Sequence, residues 1–321
     1  MKTSTKIWLI VASLLVLIGG ILFIWGFSML NWNFKNLSSN KFQSIEYETN
    51  LEFENISINV DTSDVKFVLS TNDKCKVVCY EQQNINHTVK FDNNTLTIER
   101  VDNRKWYEYI NFGFKNQAIT VYLPKTIYNN LYIEGHTGDI EIPKDFTFNS
   151  VNIIISTGDV ECYANATESM IVKASTGDID LLGVTVGSLD LSVSTGEINL
   201  FNTICNGDAL IRVSTGETEI NNLTCNNFSS NGATGDIELN SVIANGKLTI
   251  KRTTGDVKLN RSDASEINIT TSTGSVKGSL LSGKVFIVNT DTGHKRVPNT
   301  VTGGICEIST DTGDVIISLI D

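Results

Sequence analysis

At 321 residues, 40% of them apolar, the chain is long enough for a large or elongated core and too apolar for a disordered one. Its formal net charge of −11 excludes nucleic acid as a partner and argues against a bare anionic lipid surface, since both require a basic footprint.

In chain order, residues 1–6 carry Lys2 and Lys6 and read as a short cytoplasmic stub. Residues 7–30, "IWLIVASLLVLIGGILFIWGFSML", are uncharged and long enough to span a bilayer. A cleaved signal peptide would have a shorter apolar region ending in a small-x-small site. No such site is evident, so 7–30 is read as an uncleaved transmembrane helix holding the protein in the cell membrane. Trp8, Trp25 and Trp32 stand at the levels of an interfacial belt. The slight positive bias before the apolar run places the bulk of the chain outside the cytoplasm, after a linker at 31–44.

Residues 45–130 carry strand-like runs, "NISINV", "VKFVLS", "TLTIER" and "AITVYLP". They are read as an irregular opening or cap of the repeat that follows, with "DTSDV" at 61–65 as a degenerate copy of its motif. Within them Trp106, Tyr107 and Tyr109 belong to an aromatic inset that either closes the first coil or stacks on sugar rings as a ligand patch.

From 131 to 321 a Thr-Gly pair recurs ten times, at Gly138, Gly158, Gly177, Gly196, Gly216, Gly235, Gly255, Gly274, Gly293 and Gly313, with every interval 19 or 20 residues. Such a period over so many units marks a solenoid. Leu189, Leu191 and Val193 alternate with polar residues before one pair, and Ile198 and Leu200 alternate after it, so both flanks read as strands whose phase slips by one at the glycine. A bend with positive φ accounts for the slip. The expected fold is therefore all-β, a single-stranded parallel β-helix of 19–20-residue coils, each about 4.8 Å above the last, making a rod of roughly 50 Å.

Six cysteines, Cys75, Cys79, Cys162, Cys205, Cys225 and Cys306, show neither C-x-x-C spacing nor an accompanying His. They read as small buried residues. Cys205 and Cys225 share one offset with Val186, Ala244 and Ala264, an inward column in which a Cys205–Cys225 bond is the alternative to two thiols.

The repeated S-T-G-D-[IV] motif, the "VYLP" strand and the single apolar amino-terminal segment resemble the bacterial "putative adhesin" domain-of-unknown-function family. The resemblance covers about 45 to 321. It implies a β-solenoid associated with the cell envelope and an adhesive or envelope-stress role, and it supplies no active residues. "STGSV" and "DTGHK" depart from the motif by losing the acid.

Stacking aligns Asp139, Asp159, Asp178, Glu197, Glu217, Asp236, Asp256 and Asp314 into a ladder. Like charges about 4.8 Å apart repel by about 1 kcal/mol per pair in water, so something must offset them. Backbone N–H groups or solvent would do so; the sharper alternative is a file of calcium ions on oxygen ligands. Catalysis needs neighbouring acids in unlike environments, and the repeat makes every environment alike, so no enzyme is expected. "GSLLSGKV" at 278–285 lacks the Ser or Thr and the strand-to-helix setting of a phosphate loop. The chain stops at "VIISLID" in mid-alternation, which predicts an uncovered last rung and end-to-end self-association. These readings converge on a non-enzymatic surface adhesin or binding scaffold facing a wall polymer or surface protein. The alternatives are a regulatory or sensory membrane partner in an envelope-stress system and calcium-dependent glycan binding.

Overall fold

The computed structural model describes residues 3–29, 42–82, 84–103 and 117–320. Helix α1 (Thr3–Met29) contains the stretch Thr5–Trp25, long and apolar enough to cross a membrane by length and composition, with none of it buried against the strands. Everything else described is β, in one continuous sheet.

The chain winds as a parallel β-solenoid of coils about 20 residues long. Leu191 pairs with Val172 on one side and Ile211 on the other, so like residues stack on like. Leu189, Leu191 and Val193 are buried, Ser194 and Thr195 are both exposed, and burial resumes at Ile198 and Leu200. Two consecutive outward residues are the phase slip. A second bend, in five successive coils, carries no common residue type: Gly183, Asn202, Asn222, Ser241 and Arg261 fall at one offset and share φ between 52° and 68°. Val186, Cys205, Cys225, Ala244 and Ala264 line one buried column. Cys205 and Cys225 are free thiols there.

The coils do not stack in chain order at either end. The last strands, Gly304–Thr312 and Val315–Leu319, lie between the Gly274 coil and the segment 284–296. The carboxyl-terminal strand expected to be an open rung is thus paired along its length on one side and, at Val315 and Ile316 only, on the other, because the chain passes one rung height and returns to fill it. Among the described residues the open edge runs along Lys284–Thr292, where Val285 and Ile287 are exposed, and past Ile317–Leu319.

At the other end, β1 (Phe42–Thr49) begins inside the segment expected to be linker. It is followed by β2 (Asn55–Asn59), β3 (Ser63–Leu69), β4 (Cys75–Gln82), β5 (Ile85–Asp92), β6 (Thr95–Asp102), β7 (Gln117–Leu123), β8 (Ile127–Thr137) and β9 (Ile140–Ile142). β2 lies between β6 and β8, and β3 between β7 and β9. The coil of β6 and β7 is then covered by antiparallel strands, β5 on β6 and β4 on β7, with β1 on β4. These hairpins, in the segment read as an irregular opening or cap, satisfy backbone groups a bare parallel end would leave unpaired. Trp106, Tyr107 and Tyr109 lie outside the described residues.

Candidate functional site

The ladder acids sit one per coil, immediately after the corner glycines, whose φ values run from 127° to 154°. A Cβ at Gly196 would lie 2.1 Å from the carbonyl oxygen of Gly177, and a Cβ at Gly158 equally close to that of Gly138. The position therefore demands glycine twice, once for its dihedral and once for the carbonyl of the neighbouring coil. That carbonyl takes no N–H from the next coil's acid, whose amide needs another acceptor.

The carboxylate of the preceding coil is that acceptor. Asp139 Oδ1 takes the N–H of Asp159 at 3.0 Å, Asp159 that of Asp178 at 2.8 Å, and Asp178 that of Glu197 at 2.7 Å. Asp236 and Asp256 take the N–H groups of Asp256 and Ser275, both at 2.8 Å. The degenerate copy takes part, since Asp64 Oδ1 accepts from the N–H of Asp139 at 3.1 Å. Glu197 and Glu217, one methylene longer, place no oxygen on the amide above, and the file is interrupted between them. Burial, then Asp178 and Glu217, push the Glu197 carboxyl above its usual range.

The two positions that lack the acid differ in their place in the stack. Ser275 substitutes a hydroxyl, whose Oγ accepts the N–H of Asp314 at 3.4 Å. Among the described residues His294 belongs to the outermost coil, with no amide above it to satisfy. Its own N–H goes to Asp314 Oδ1 at 2.9 Å, and this bond holds the Asp314 carboxyl below its ordinary value.

A different cluster lies in the amino-terminal hairpins. Cys75, Val77, Cys79 and Glu81 alternate inward along β4, and Ile85 and His87 along β5. Donor atoms of Cys79 and Glu81 on β4 and of His87 on β5 all lie within 4.8 Å of one another. Both Glu81 and His87 side chains are 0% exposed. Glu81 Oε2 accepts the backbone N–H of His87 at 2.6 Å and faces His87 Nδ1 at 3.0 Å, whereas Oε1 is buried without a partner. His87 Nε2 meets Ser63 Oγ at 3.3 Å, and Ser63 donates to Gln117 Oε1 at 3.3 Å.

Burial drives the His87 imidazole below its ordinary pKa, outweighing the opposing pull of Glu81, and pushes the Cys79 thiol up to about 12. A cavity of about 360 Å³, lined by Tyr47, Glu81, Asn86, His87, Val101 and Asn103 among others, reaches the pair. Ser63, His87 and Glu81 have the connectivity of a hydrolytic relay, but Ser63 is only 3% exposed and does not line that cavity. Sequence reasoning missed this cluster by looking for a histidine near the cysteines in the chain. The available signal was an acid, Glu81, in the inward phase of an apolar strand.

Among curated proteins no match to the chain is found. Solved structures of similar shape include a "putative adhesin" from Bacteroides fragilis, at 20% identity over 87% of this chain and 97% of that one, with a TM-score of 0.38. Another, from Parabacteroides merdae, is 13% identical over 88% and 98%, with a TM-score of 0.46. A "putative cell adhesion protein" from Clostridium sporogenes is 11% identical over 87% and 100%, with a TM-score of 0.21. No residue role transfers at that distance. The family model described as Toastrack DUF4097 matches residues 53–212 and 206–321, nearly the whole β region, and the chain belongs to that family.

Proposed function

We propose that the protein is a membrane-anchored, non-enzymatic binding scaffold that displays its solenoid on the outer face of the cell membrane. The observation that carries this reading is a column of exposed threonines in register. Thr137, Thr157, Thr176, Thr195, Thr215 and Thr234 stack coil on coil, and Thr254, Thr273, Thr312 and Thr292 continue the column to the open edge. All of them are exposed.

Identical hydroxyl-bearing corners at a fixed rise suit a ligand that is itself repetitive, such as a wall polymer. Many weak contacts then sum to avidity without a deep pocket. The apolar helix α1, unburied throughout Thr5–Trp25, supports the anchor, and Lys2 and Lys6 support the orientation. The same repetition argues against catalysis, because stacked corners give neighbouring acids no difference in environment to divide acid from base.

The test replaces Thr157, Thr176, Thr195 and Thr215 together by arginine in the full chain. Long charged side chains on that face would abolish attachment of whole cells to isolated envelope polymer while leaving the β-sheet circular dichroism unchanged. Undiminished attachment with the fold intact would overturn the reading.

A further inference from the structure

Cys79, Glu81 and His87 supply one soft sulfur, one carboxylate oxygen and one imidazole nitrogen, all within 4.8 Å of one another, the proximity one shared ion needs. Ser63 has a single hydroxyl proton. With that proton given to Gln117 Oε1, Ser63 Oγ accepts from His87 Nε2–H, and the lone pair on Nδ1 is turned toward Glu81 Oε2 at 3.0 Å. Two acceptors face to face in a dry interior are unfavourable unless a cation lies between them. Glu81 Oε1, fully buried and unpartnered, states the same need independently.

We infer that Cys79, Glu81 and His87 form a binding site for a zinc-class divalent transition-metal ion, with a solvent-derived fourth ligand entering from the cavity lined by Glu81 and His87. A thiolate and a carboxylate together balance a dipositive ion, so the occupied site is neutral and tolerates its burial. The Cys79 proton leaves to solvent as the ion binds. Ser63 and Gln117 hold the imidazole as outer partners of a metal-bound histidine do. Calcium does not fit, since it takes six to eight oxygen ligands and this set offers sulfur and nitrogen. The ion would tie β4 to β5 where the hairpins close the solenoid.

Titration of the detergent-solubilised full chain with Co²⁺ under non-thiol reductant tests the site. One saturable Co²⁺ per chain, with a near-ultraviolet thiolate-to-cobalt band and the visible bands of tetrahedral cobalt, both bleached by Zn²⁺, is the expected result. Cys79→Ser should remove the thiolate band and Cys225→Ser should keep it. Ser63→Ala should keep the band while weakening affinity about tenfold. Absence of saturable uptake by the unaltered protein would overturn the assignment, whether or not any variant folds. A thiolate band surviving in Cys79→Ser would overturn it equally.

Discussion

The coils from β8 onward and the hairpins before them solve the same problem differently. A coil in the stack finds its backbone partners above and below, so each position repeats one constraint, and side chains settle into columns. The hairpins stand where the stack ends and must close it with antiparallel strands. Both regions bury polar groups, in different company: β4 and β5 bring the acid Glu81 and the histidine His87 together against Ser63 and Gln117, whereas a coil buries Arg252 against the hydroxyls of Ser230 and Thr218.

The sharpest way to break that contrast is within the coils, at two glycines of positive φ. At Gly196 the dihedral is 141° and an added Cβ would meet the Gly177 carbonyl oxygen at 2.1 Å; at Gly183 the dihedral is 68° and no atom lies within 4 Å. Gly196→Ala should therefore cost more than about 3 kcal/mol, by splitting the stack, and Gly183→Ala only about 1 kcal/mol. Gly183→Asn should be close to neutral, because Asn202 occupies the same bend one coil away. Thermal unfolding midpoints of the three variants decide it; equal losses at Gly196 and Gly183 would mean that coil stacking does not set the corner residue.

A second effect separates the two regions by pH. In the metal-free protein His87 is held below its ordinary pKa, chiefly by burial, although Glu81 opposes the shift and Arg100 adds to it. The unfolded chain takes up a proton near pH 6.5 that the folded chain resists. Stability contributed by neutral His87 is thus complete above that pH and is lost as pH falls through it. His87→Gln should flatten the unfolding midpoint across that window. At neutral pH, His87→Ala should cost about 3 kcal/mol by leaving a cavity where the buried ring packs and by removing the partner of Ser63 Oγ. A midpoint with the same pH slope in the variant and the parent would place the acid-sensitive group elsewhere.

The coil was legible from the sequence because its constraint is written ten times over, and alternation on either side of Thr-Gly marked two strands and a bend. The second bend was not, since Gly183, Asn202, Asn222, Ser241 and Arg261 share a dihedral and no chemistry. Coil order was nearly invisible. Its one trace was the missing acid at His294, which reads as a decayed motif until the structure shows that, among the described residues, nothing stacks above it. The buried cluster was hidden for a related reason: Glu81 and His87 lie on successive strands that pair with different partners, β7 and β6, and spacing along the sequence carries no sign that they meet. Phase does carry it, because an inward acid on β4 and an inward histidine on β5 each require a buried partner.

The smallest effect concerns what the ladder acids are for. Asp178 Oδ1 accepts the N–H of Glu197 at 2.7 Å, and no such bond comes from Glu217. If the carboxylate serves as the amide's acceptor, Asp178→Ala should lower stability by about 1 kcal/mol and Asp178→Asn should restore most of it, because the amide oxygen can take the same bond. Glu217→Ala should then stay within about 0.5 kcal/mol of the parent. A cation file inverts the pattern: Asp178→Asn would behave like Asp178→Ala, both would abolish a calcium-dependent rise in the midpoint, and Glu217→Ala would weaken it. Midpoints measured with calcium and with chelator separate the two. The hydrogen-bond geometry favours the first outcome, since an exposed corner needs one acceptor per coil, and the structure provides it wherever an aspartate stands beneath another coil.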